Sequence, residues 1–137
     1  MTPEADRYLE KARQCLANAH ANLGIDLSND AGRNAYFAAF HAAQALIFER
    51  TGKIAKTHQG VQGEFYRLAK DKPSIDKNFP AFLSQAYNLK AVADYETGPD
   101  SVVPLERAAA AIETAGRFID CIAGLIQMPN QAPPDGQ

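Results

Sequence analysis

Arg33, His41 and Gln44 fall within one predicted helix, and His41 and Gln44 sit a single turn apart, so their side chains can meet. Arg33 lies two turns earlier, roughly 80° around the axis, and can border the same groove as His41. An imidazole near its ordinary pKa can act as general acid, general base or substrate contact. A guanidinium offers a planar fork to phosphate or carboxylate. Each residue also has a structural use: His41 as a hydrogen-bonded helix histidine, Arg33 as an ion-pair partner of Asp26 or Asp30. His58 follows Thr57, where another helix should start, and it can serve that helix start or join Arg33 and His41. Lys90 and Asp94 have the spacing of an (i, i+4) helix pair. Arg13 and His20 share one face of the first helix, a loose pattern that arises easily by chance. Three histidines at irregular spacing, with no carboxylate partner, do not make a metal-ligand set. Glycine-rich phosphate loops, serine-centred elbows and His-Glu-x-x-His are absent, so neither a metal nor a cofactor is expected.

The elements that must position these residues read as helices. The chain holds 25 alanines, the strongest helix former, and no sustained alternation of β-branched residues. A first helix is expected from Pro3 to Leu23, capped by Thr2 and stopped by Gly24. A second should start near Ser28 or Asn29 and run to Arg50, ended by Thr51-Gly52. A third spans about Thr57 to Ala69. Residues Asp71 to Pro80 read as a loop, and a fourth helix runs from Pro80 to Tyr95. A fifth starts at Ser101 or Val102 and reaches Gln127. The last ten residues, 128–137, are rich in proline and read as a disordered tail beside one domain over 1–127. Short links between amphipathic helices give an all-α, up-and-down bundle of about five helices. The second helix carries Tyr36, Phe40, Ala43 and Ile47 on one stripe and Phe37, His41 and Phe48 on another. A helix apolar all round is a buried one, so it should be central, and a homodimer through it is expected.

A chain of 137 residues with 46% hydrophobic and 22% charged side chains is ordinary for a soluble globular protein. The apolar run from Ala35 to Phe48 is too short and too polar to span a membrane. Cys15 and Cys121 lack metal-like spacing and read as small buried or half-buried residues of a reducing, cytoplasmic compartment. Net charge is −2, but it is unevenly spread. Residues 50–78 hold seven basic and three acidic side chains inside an otherwise acidic chain. Such a segment is either a solvated face or an anion-binding patch suited to phosphates.

Three stretches carry a family resemblance: Arg33-Asn-Ala-Tyr-Phe-Ala-Ala-Phe-His-Ala-Ala-Gln-Ala-Leu46, Lys56-Thr-His-Gln-Gly-Val61 and Ala86-Tyr-Asn-Leu-Lys-Ala-Val-Ala-Asp-Tyr95. Together they resemble the HEPN superfamily, and within it the small stand-alone proteins of bacteria and archaea. The resemblance runs from about Pro3 to Ile126, in the same helix order. It implies a four-helix core that dimerises through its central helices, and a link to RNA or nucleotides. Many such proteins are metal-independent endoribonucleases, often toxins paired with a nucleotidyltransferase-like antitoxin; others are non-catalytic partners of nucleotidyltransferases. Active members carry an arginine, four to six residues, then a histidine in a late helix. Here Lys90 stands in the arginine's place and Tyr95 in the histidine's. The lysine lacks the bidentate fork, and a phenol with an ordinary pKa near ~10 is a poor base at neutral pH. The resemblance thus implies Lys90, Tyr95 and His58 as candidate catalytic residues and Arg33, Tyr36, His41 and Asp94 as candidate binding residues, with Arg33, His41 and His58 meeting Tyr95 in one pocket. The alternative is a dimeric, non-catalytic module that docks a nucleotidyltransferase.

Overall fold

A computed structural model describes residues 1–127, apart from the side chains of residues 99 and 100. It is all-helical over that range, with α1 (Pro3–Gly24), α2 (Ser28–Thr51), α3 (His58–Ala69), α4 (Phe79–Tyr95), a 3-10 turn (Gly98–Ser101) and α5 (Leu105–Gln127). The expected tail, 128–137, lies outside the described residues. No helix is long and apolar enough to cross a membrane among the described residues.

Helix directions follow from the contacts at their ends. The Thr2 backbone N–H donates to the Glu49 carboxylate at 2.9 Å, and the Asn34 amide donates to Asn22 Oδ1 at 2.8 Å, so α1 and α2 run antiparallel. Arg33 meets Asp94, and Phe37 meets Lys90, which sets α4 antiparallel to α2. Asn29 bonds Ser101 and Val103, and Arg50 bonds the Leu125 carbonyl, which sets α5 parallel to α2. Helices α1, α2, α4 and α5 therefore alternate up and down, and α3 is an extra short helix.

Helix α2 is the centre, and α1, α3, α4 and α5 all pack against it. Fourteen of its residues are buried, seven of them alanines (31, 35, 38, 39, 42, 43 and 45). Small side chains let the neighbouring backbones come close, which is how one helix accommodates four partners. The expected centrality is present, but the reason given for a homodimer is not. One chain already covers most of α2, so its burial requires no second copy. What remains half-buried on α2 is the face with Phe37, His41 and Phe48.

The cap of α2 and the start of α5 differ from expectation. Neither Ser28 nor Asn29 caps α2; Leu27 is its N-cap residue, without a side-chain bond. Asn29 is used instead to hold the chain ahead of α5. Its amide donates to the Ser101 carbonyl, and its Oδ1 accepts from the Val103 N–H, both at 2.8 Å. Helix α5 starts at Leu105 rather than at Ser101 or Val102, because Pro104 disfavours the helical conformation in the residue before it. Gly52 ends α2 at φ 71°, where its N–H bonds the Phe48 carbonyl at 2.8 Å.

A second core centre joins α3, α4 and α5. Phe118 is fully buried, with its ring 5.0 Å from those of both Phe65 and Phe79 and 6.4 Å from Phe82. Replacing Phe118 by alanine should cost about 3–5 kcal/mol of unfolding free energy, read from chemical denaturation. A loss below about 1 kcal/mol would show that these three helices do not share this core.

Candidate functional site

The start of α3 is built to place His58. Thr57 has extended backbone and its hydroxyl accepts the Gly60 N–H at 3.0 Å, capping the helix. A Cβ at Gly60 would fall 2.9 Å from that hydroxyl oxygen, so glycine is needed there to keep the cap. His58 is thereby the first helical residue. Its Nδ1 lies 2.9 Å from the Tyr36 hydroxyl, and its ring stacks on Tyr87 of α4 at 3.9 Å and 15°. Its Nε2 has no hydrogen-bond partner among the described residues. With Nδ1 protonated and donating to Tyr36, Nε2 presents a lone pair; with Tyr36 donating, Nε2 presents an N–H. Partial burial pushes the His58 pKa down, so the ring is neutral at pH 7. Tyr36 is 2% exposed, and burial drives its phenol pKa well above the usual value, with Tyr87 adding to the effect. Tyr36 therefore holds His58 as a neutral hydroxyl.

A few ångströms along α2 lies a run of alternating charge. Arg33 donates from Nη1 to Asp30 at 2.5 Å and from Nε to Asp94 at 2.7 Å. Lys90 donates to the other oxygen of Asp94 at 2.5 Å. The Lys90 ammonium also sits 5.8 Å from the ring centroids of Phe37 and Tyr95. Asp94 is held below the usual carboxylate range, chiefly by the Lys90 hydrogen bond and then by Arg33. Two cations and two carboxylates thus make a neutral quartet at the α2–α4 seam.

His41 has the structural role anticipated beside the chemical one. Its Nδ1 is 2.7 Å from Gln44 Oε1, so Nδ1 carries the proton, and the Gln44 amide donates to the Ala55 carbonyl at 2.7 Å. The pair ties the segment between α2 and α3 onto α2. Burial lowers the His41 pKa, Lys11 adds to this, and the Gln44 bond opposes it.

The structure brings the seven candidate residues into one connected strip: His58 and Tyr36, then Phe37 with His41, then Lys90 with Asp94, Arg33 and Tyr95. It does not gather them in a pocket. Neither of two clefts on the surface, one at the α3–α4 loop and one between α4 and α5, includes any of them. Tyr95 ends α4 at 74% exposure and touches Lys90 rather than His58 or His41, so the expected pocket is an open strip. Arg13 and His20 are exposed on α1, outside this strip. The residue that sequence reading passed over is Tyr87. Its signal was available, because Tyr87, Lys90 and Asp94 repeat at helical spacing along one face of α4.

The HEPN domain family model matches residues 5–125, and the chain belongs to that family. It is 30% identical over 119 residues to the Methanocaldococcus jannaschii protein named "Putative toxin MJ0605", covering 87% of this chain and 86% of that one. Its fold is similar to the crystal structure of TT1696 from Thermus thermophilus, with a TM-score of 0.74, 20% identity, and coverage of 90% of this chain and 98% of that one.

The histidine shifts predict a pH dependence. A neutral folded His41 means the unfolded chain binds more protons near pH 6, so stability should fall as pH drops through the usual histidine value of about 6.5. The Asp94 pairs act in a lower window, being lost only as pH falls below the ordinary carboxylate range. Denaturation at pH 8 and at pH 5.5 should show a smaller loss for His41→Gln than for the native chain. Equal losses would remove His41 as the source.

Proposed function

We propose that this chain is the HEPN component of a toxin–antitoxin or nucleotidyltransferase-associated pair, and that the α2–α4 strip takes RNA or nucleotide. The observation that carries the reading is that two cations, Arg33 and Lys90, lie on the same pair of helices, α2 and α4, whose Tyr36 and Tyr87 hold a histidine with a free Nε2. Phosphate is the ligand such cations suit, and an imidazole ready at pH 7 is the group that metal-free cleavage through a ribose 2′-hydroxyl needs. In this reading Lys90 takes the place of the family's arginine, and His58 rather than Tyr95 supplies the acid–base group. The name of the archaeal relative supports the paired-system assignment. A homodimer through α2 belongs to the same proposal.

A second reading has its own support. The quartet is neutral, and Asp94 already occupies both cations, as a docking surface for a nucleotidyltransferase-like protein would allow.

Incubation of the purified chain with a mixed RNA pool in EDTA separates the two. The proposal expects metal-free cleavage that His58→Ala and Lys90→Ala abolish while both variants stay folded. RNA intact at high protein concentration, with no retardation of its mobility, would favour the docking module. Asp94→Asn sharpens the test. It should cost at most about 1 kcal/mol of stability, since these are surface pairs. By releasing Lys90 and Arg33 it should tighten RNA binding, whereas Arg33→Ala should lower the salt dependence by about one counterion. Weaker RNA binding by a folded Asp94→Asn variant would contradict a phosphate role for the two cations.

A further inference from the structure

Four exposed large apolar side chains gather at one end of the bundle. Ile25 and Leu27 lie in the α1–α2 turn, and Val102 and Leu105 flank the start of α5. Ile25 is 69% exposed and Val102 60%. Asn29 ties the two segments together. It stands two residues after Leu27, and its side chain bonds the Ser101 carbonyl and the Val103 N–H. Val103 is buried, with its methyls over Gly32 of α2. The chain is extended at Val102, so that side chain is turned outward.

The α1–α2 turn is fixed. The N–H groups of Ile25, Asp26 and Leu27 bond the carbonyls of Asn22, Leu23 and Asn22 at 3.3, 3.1 and 2.8 Å. Asp26 sits at φ 61°, the one non-glycine residue with positive φ among the described residues. Apolar side chains displayed on fixed backbone lose little freedom when a partner covers them.

The rim of this surface is acidic. Asp26, Glu96 and Glu106 are exposed there, and none has a lysine or arginine within 4.0 Å among the described residues. Arg107, the next residue on α5, lines the cleft between α4 and α5. Exposed apolar side chains inside a polar rim mark a protein contact. The sign of the rim selects the partner. It repels nucleic acid and anionic lipid, and a second copy docking through the same end would set acidic rim against acidic rim. A basic segment is complementary. The described residues hold no strand and so offer no sheet edge to pair with, whereas a helix satisfies its own backbone hydrogen bonds.

We propose that this end of the bundle docks a basic amphipathic helix of a partner protein. Ile25, Leu27, Val102 and Leu105 meet its apolar face, and Asp26, Glu96 and Glu106 meet its lysine and arginine side chains. None of these seven residues belongs to the α2–α4 strip, and the proposal does not rest on the RNA reading.

Fluorescence anisotropy tests it, with the full chain titrated into a short labelled peptide of leucine and lysine at amphipathic helical spacing. The same peptide with glutamate for lysine is the control. The leucine–lysine peptide should bind, less tightly as salt rises, and the leucine–glutamate peptide should not. Ile25→Ser/Val102→Ser should weaken binding by at least about tenfold. Glu96→Gln/Glu106→Gln should weaken it and flatten its salt dependence. All four positions are exposed, so both variants should keep the native helicity by circular dichroism. Three results would overturn the proposal: no binding, equal binding of the two peptides, or binding indifferent to Ile25→Ser/Val102→Ser. Labelled RNA whose binding that same variant abolishes would give this end to nucleic acid and overturn it. Light scattering that shows self-association of the native chain, lost in that variant, would give it to a second copy and likewise overturn it.

Discussion

Everything in this fold is arranged around the burial of α2. Twenty-four residues of helix with apolar side chains on every side are stable only if other helices enclose them. Alanine at seven of the buried positions makes that enclosure possible at close range. Enclosure then fixes the rest. Gln44 draws the α2–α3 segment onto α2, Tyr36 receives His58 at the α3 start, and Asp94 of α4 closes on Arg33. The polar residues of the strip are few, and two of their bonds, Tyr36 to His58 and Arg33 to Asp94, cross between helices. That is the condition for a surface to hold several side chains in one geometry.

The chemistry available at the strip is set by competition for Arg33 and Lys90. Both cations are satisfied by carboxylates, and a phosphate would have to displace or share them. Ion pairs this close to solvent are weak, about 0–1 kcal/mol, so such exchange is energetically accessible. His58 faces a different constraint. Stacking on Tyr87 and the bond to Tyr36 hold its ring in place, and partial burial lowers its pKa, leaving Nε2 as the position where a proton can be given or taken.

Much of the architecture was legible in the chain because its signals are local. Thr2 and Thr57 cap their helices, Gly52 ends α2, and the apolar stripes place the core faces. The cap of α2 was misread because Asn29 makes a long-range bond: it spends its side chain on residues 101 and 103, more than seventy positions away, instead of capping. The same limit applies to the site. Periodicity put Arg33 and His41 on one helix and Lys90 and Asp94 on another, but only packing shows that Asp94 joins them and that Tyr87 lies against His58. It likewise shows that the basic segment is not one patch, since Glu64 engages Lys53 and Arg67 and the Leu125 carbonyl engages Arg50. Whether α2 needed a second chain to cover it could not be read from its composition, because alanine content understates how closely four helices can pack.

The central claim is that the α2–α4 strip is the surface that meets RNA. Amide and side-chain NMR of the full chain, titrated with a short single-stranded RNA, tests it most directly. The account predicts that the largest shifts cluster on Arg33, Tyr36, His58, Tyr87 and Lys90, and that the His58 ring signals move with them. Shifts confined to other faces of the bundle, or none at saturating RNA, would contradict it.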